Sequence, residues 1–160
     1  MAWTESGLCY ATIRDGHSNI IALDMHTAAG LSIALSNNSD TPAFQADPAT
    51  WSTTNEVHDA GTWPSGGVSF TTANGGGSLT PTFTVTGTPP TTNLKWALNN
   101  VSVANTTLTT AYGCYLYASG LTPKAILCAV WFGGSPYSTV AGTFAITWSA
   151  SGVITMALAA

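Results

Sequence analysis

Thr80-Pro81-Thr82-Phe83-Thr84-Val85-Thr86-Gly87-Thr88 places five threonines on one side of an extended chain and Pro81, Phe83, Val85 and Gly87 on the other. Alternation with a period of two marks a strand with one wet and one dry face. Working outward, Tyr112, Cys114 and Leu116 alternate with Gly113, Tyr115 and Tyr117, so the strand read between Leu108 and Tyr117 carries bulk on both faces and should be central. Ala125 to Phe132 is apolar on both faces as well, and its eight residues are too few to cross a bilayer as a helix. From Thr143, Phe144, Ile146 and Trp148 alternate with small or hydroxylated residues, and Ser149-Ala150-Ser151-Gly152 turns the chain into Val153 to Leu158, which reads as a terminal hairpin. Gly66-Gly67, Gly75-Gly76-Gly77-Ser78, Pro89-Pro90, Asn99-Asn100 and Gly133-Gly134 punctuate these runs. The expected fold is all-β, an antiparallel β-sandwich or partly closed barrel, with one short N-terminal helix from about Ser6 to Arg14 that turns Leu8, Ala11 and Ile13 inward and stops at Asp15-Gly16.

The 160 residues suit a single domain spanning 1–160. Only 6% of residues are charged while 45% are apolar, so Ser, Thr, Asn and Gly must supply the polar surface. All seven acids (Glu5, Asp15, Asp24, Asp40, Asp47, Glu56, Asp59) and all three histidines precede residue 60, giving −6 there with Arg14, against +2 from Lys95 and Lys124 in the remainder. This divides the domain into an acidic, irregular region over 1–60 and a nearly uncharged β body over 61–160. A total of three cations is too few to neutralise a run of phosphates or grip an anionic bilayer, so neither nucleic acid nor membrane is expected as a partner. The odd set Cys9, Cys114 and Cys128 lacks metal-type spacing and implies no disulfide framework. Met1 to Tyr10 has no basic residue and no long apolar run, unlike a secretory signal, and synthesis in the cytoplasm is the expectation.

Few motifs carry chemistry. Gly16-His17-Ser18-Asn19-Ile20 fails the serine-hydrolase elbow at its last position. His58-Asp59 pairs an imidazole with a carboxylate, but no nucleophile is tied to them by spacing, and a solvated loop is the better reading. Asp24 and His26 lack a third ligand. Asp40, Asp47, Glu56 and Asp59 would surround a hard cation only if their loops folded together, and acids that keep the chain soluble explain them better. No metal, no cofactor and no catalytic residue is therefore expected, and the chain is read as a non-enzyme. The threonine ladder is either an ice-ordering face, a wall against another subunit, or simply the solvated side of a strand, the last being favoured. Of the six tryptophans, Trp96, Trp131 and Trp148 fall in strand patterns and are mostly core, whereas Trp3, Trp51 and Trp63 fall among loops and are the better candidates for a contact surface.

The order of segments carries a resemblance. Leu31-Ser32-Ile33-Ala34-Leu35 is followed by Asp40-Thr41-Pro42-Ala43-Phe44, then Thr54-Asn55-Glu56-Val57, Gly61-Thr62-Trp63 and Gly66-Gly67-Val68. Lys95-Trp96, the Tyr112 to Tyr117 strand, Ala129-Val130-Trp131-Phe132-Gly133-Gly134 and Gly142-Thr143-Phe144-Ala145-Ile146-Thr147-Trp148 complete it, ahead of Gly152-Val153-Ile154-Thr155. In this order they resemble a family of small virion structural proteins of tailed bacteriophages, of the head decoration and minor capsid type. The resemblance covers about residues 31 to 158 and transfers no catalytic residue. It implies a decoration or cement protein on the capsid surface, with the major capsid protein as partner and a homotrimer at local three-fold axes. Trp3, Trp51, Glu56, His58 and Trp63 are the residues expected in its contacts. The alternative is a tail or fibre component with a receptor- or glycan-binding module, which would keep exposed aromatic rings at a loop end; an enzyme ranks last.

Overall fold

A computed structural model describes residues 3–73, 79–87 and 93–157. The chain is built from antiparallel strands with one helix. In order these are β1 (Gly7–Leu8), α1 (Tyr10–His17), β2 (Leu31–Ser36), β3 (Glu56–Val57), β4 (Val68–Ser69), β5 (Thr82–Thr86) and β6 (Asn93–Ala97). There follow β7 (Val101–Ala111), β8 (Gly113–Ala118), β9 (Ala125–Trp131), β10 (Tyr137–Ile146) and β11 (Ile154–Ala157). The largest sheet runs β1-β9-β8-β2-β3, with β4 also paired to β2; β10 and β7 form a two-stranded ribbon, and β11-β6-β5 a third sheet.

The strands with bulk on both faces are the ones this arrangement buries. Every residue of β2 and of β8 is buried, and they pair from Leu31 opposite Ala118 to Ser36 opposite Gly113. β9 closes the other flank of β8. One apolar cluster joins all three sheets, running from Leu31, Ile33 and Leu35 through Trp63, Phe70 and Trp96 to Leu108, Leu116, Leu127, Phe144 and Ile154. Each large side chain fully withdrawn from water contributes about 1.5–3 kcal/mol, so this shared cluster rather than ion pairing holds the sheets together. Gly67 permits the chain to approach the β2 backbone closely. Its φ is +74°, and a Cβ there would lie 1.9 Å from the Ile33 carbonyl oxygen, so no other residue fits.

The local readings need four adjustments. The helix starts at Tyr10 instead of near Ser6, because Gly7 and Leu8 are taken by pairing with Ala129 and Cys128 of β9. It also passes through Asp15-Gly16 to His17, where the Ser18 N–H bonds the Arg14 carbonyl at 2.9 Å, and it buries Ala11 and Thr12. The strand read from Leu108 to Tyr117 is divided at Tyr112 between β7 and β8, which belong to different sheets.

The terminal hairpin does not form. Its turn exists, with Gly152 N–H on the Ser149 carbonyl at 2.9 Å, but β10 pairs with β7 while β11 pairs with β6. Trp148 redirects the chain: its N–H meets Asn100 Oδ1 at 3.1 Å and its indole N–H meets the Asn99 carbonyl at 2.9 Å, fixing it to the β6–β7 connection. Finally, the apolar side of β5 is wetter than expected: all five of its residues are exposed, Val85 at 68%, although the Phe83 ring, 39% exposed, lies 6.4 Å from buried Trp96. Thr88 of the ladder lies outside the described residues.

Candidate functional site

The three loop tryptophans expected at a contact surface are buried instead, Trp3 with 1%, Trp51 with 9% and Trp63 with none of its surface exposed. Trp3 lies 5.1 Å from the Tyr115 ring, and Trp51 lies 5.2 Å from both Tyr115 and Tyr117, stacked on the latter. With Ala34 and Ala129 these rings form a second apolar layer on the outer face of the large sheet. Trp63 belongs to the main core, edge-on to Phe144 at 5.4 Å. Burial of a ring worth 150–250 Å² outweighs the polar loop context that argued for exposure. The indole N–H groups of Trp51 and Trp63 meet no protein acceptor, a cost this burial offsets.

Glu56 is half-buried and holds a turn. Its Oε1 accepts the Gly66 N–H at 2.7 Å and its Oε2 the Ser65 hydroxyl at 3.0 Å. His58 remains exposed.

The other acids are likewise committed to loops. Asp59 Oδ1 accepts the N–H groups of Gly61, Thr62 and Trp63 at 2.9, 2.7 and 2.9 Å, while its Oδ2 accepts that of Thr107 on β7 at 2.9 Å. These backbone bonds, those of Trp63 and Thr107 foremost, hold its pKa down at about 2. Asp40 accepts the Tyr115 and Ser36 hydroxyls, Asp24 caps His26 and Thr27, and Asp47 pairs with Arg14 at 2.8 Å. Among the described residues no three His, Cys, Asp or Glu side chains converge as a metal site, so Asp40, Asp47, Glu56 and Asp59 do not fold together. Cys9, Cys114 and Cys128 are free, buried thiols whose ionisation is suppressed by desolvation, Cys9 being pushed up to about 11. A buried neutral thiol is a poor nucleophile. A hollow of about 270 Å³ lies under the loop from Asp40 to Asn55, but its aromatic members Trp51 and Tyr115 are already packed against each other.

What the sequence reading missed is a strand edge. β7 has its outer side occupied: Ser102 N–H bonds the Ala73 carbonyl at 3.1 Å, and Thr107 N–H bonds Asp59. β10, on the other side of the ribbon, pairs only with β7 among the described residues. Val140 is 84% exposed and Tyr137 52%. Beside them a hollow of about 200 Å³ is lined by Phe132, Tyr137, Phe144, Ala145, Ile146 and Thr147. No Asp, Glu, Lys, Arg or His occurs from Ala125 to Ala157. The signal was present as that uncharged run, but which of its strands would be left at an edge depends on pairing remote in sequence.

Compared with known proteins, the chain matches no family model, no curated protein and no solved structure.

Proposed function

We propose that this protein is a non-enzymatic structural component of a virion, a decoration or cement protein that binds the capsid lattice and acts through shape and multiplicity. The observation that carries the reading is the β7–β10 ribbon: a long strand with an edge unpaired among the described residues, exposed apolar side chains and no charge, in a chain whose acids mostly serve its own loops. Natural sheets usually protect such edges with lysine, proline, a bulge or a covering element; β10 carries a bulge near Ala141 but neither charge nor a covering strand among the described residues, and such an apolar edge suits a surface that is covered in an assembly. Many copies on a repeating lattice turn modest contacts into firm attachment. The contact surface moves accordingly from the buried Trp3, Trp51 and Trp63 to the ribbon. Sealing of those three rings removes them from the glycan-binding alternative, which is left with Tyr10 and Tyr137 as its most exposed aromatic rings. The test is co-sedimentation of the purified chain with capsid shells from which decoration proteins have been stripped. Saturable binding that raises the shells' heat resistance supports the role; shells that pellet without it contradict the role.

A further inference from the structure

We propose that β10 is the contact through which two copies of this chain join, strand to strand and antiparallel about a two-fold axis, so that β7, β10 and their counterparts make one continuous sheet. This deepens the structural role above and rests on it for its use in a particle, while the pairing itself belongs to the isolated protein.

A second copy is the occupant for three reasons. First, an antiparallel pair needs only one edge from each partner, and β10 is a ten-residue strand whose backbone has no partner other than β7 among the described residues. Second, each copy carries −4, so two copies repel through most approaches. Across β10 neither presents a charge, and the nearest acid bonded to the ribbon, Asp59, sits on the far side of β7. Third, the outward backbone lies where the apolar hollow opens. Ala145 sits opposite Ser102, whose N–H turns away from β10, so the N–H and C=O of Ala145 face the free edge, beside the hollow between Phe132, Tyr137, Phe144 and Ile146. A pairing centred on Ala145 sets that residue against its own counterpart and brings the two hollows together across the axis, and symmetry makes each contact twice. The register shifts of β10 against β7 lie between Tyr137 and Phe144, so the regular stretch from Phe144 to Ile146 provides the backbone pairing. A two-fold pair of this kind takes the place of the three-fold assembly expected from the resemblance.

Sedimentation equilibrium of the full chain is the first measurement, with a mass twice 16.4 kDa expected as concentration rises. Ala145→Lys, at an exposed position facing its own counterpart, should weaken association at least about tenfold with an unchanged urea midpoint, whereas Val140→Lys, exposed but beyond the pairing, should associate like the parent. Ala145→Cys protein under mild oxidation should give a disulfide-linked homodimer, because the native thiols are buried. A monomer at every concentration, an Ala145→Lys variant that associates like the parent, or absence of the cross-link each overturns the pairing. None of those results touches binding to shells, which a monomer can perform; conversely, a dimer that ignores stripped shells keeps the pairing and removes the capsid role.

Discussion

Replacing Asp59 by asparagine tests whether the acids serve the fold. The carboxylate gathers four backbone N–H groups, three from its own loop and one from Thr107, and so ties the loop that carries Trp63 to the ribbon. Depression of its pKa from the ordinary 3.8 to about 2 is equivalent to at most about 2.4 kcal/mol in favour of the folded state. Water reaches this carboxylate, and screening reduces the figure to about 1 kcal/mol. The asparagine keeps one acceptor oxygen but turns a donor toward the Thr107 N–H. At pH 7 the variant should therefore melt about 2–4 °C lower. Because the folded-state pKa is the lower one, this stability is complete above the unfolded value and is lost as pH falls through the folded one. The gap between parent and Asp59→Asn in urea titrations should fall to about half near pH 3 and almost close near pH 2. An equal gap at pH 3 and pH 7 would refute the assignment of Asp59 as an ionised loop anchor.

Two other outcomes follow from packing. Gly67→Ala should yield no soluble folded protein, since its Cβ meets the Ile33 carbonyl. Gly133→Ala, at φ +98° but with nothing within 4 Å of the added carbon, should fold and lose only about 1–2 kcal/mol; comparable expression and melting of the two would contradict the close approach at Gly67. The three thiols should resist a thiol-specific dye in native buffer and all react in urea, and rapid native labelling of any of them would contradict the burial and suppressed ionisation of Cys9, Cys114 and Cys128.

The sequence made the core strands legible wherever both faces were apolar. Leu31 to Leu35, the Tyr112 to Tyr117 run and Ala125 to Phe132 are the heart of the largest sheet, because a strand with bulk on both sides has no stable place at an edge. Partner choice was not legible. The turn chemistry of Ser149 to Gly152 is right, yet its two flanking strands part company because Trp148 is held by Asn99 and Asn100, almost fifty residues earlier. The contact residues failed for a related reason. Trp3, Trp51 and Trp63 are flanked by polar and turn-forming residues, and nothing local says that these loops fold back over the sheet to cover Tyr115 and Tyr117 or to enter the core. Trimming residues 1–30 would thus remove β1 and Trp3 from the packed structure. Charge asymmetry was visible throughout, but the first sixty residues and the uncharged remainder are woven into one sheet, with β2 lying against β8.

The proposed role in covering a capsid lattice is tested most directly by the copy number of the chain in purified phage particles, measured by quantitative mass spectrometry against the major shell protein. A structural cement should be present at a fixed ratio to the shell subunit, on the order of hundreds of copies per particle. Particles that lack the chain altogether, or hold only a handful of copies, would contradict the account.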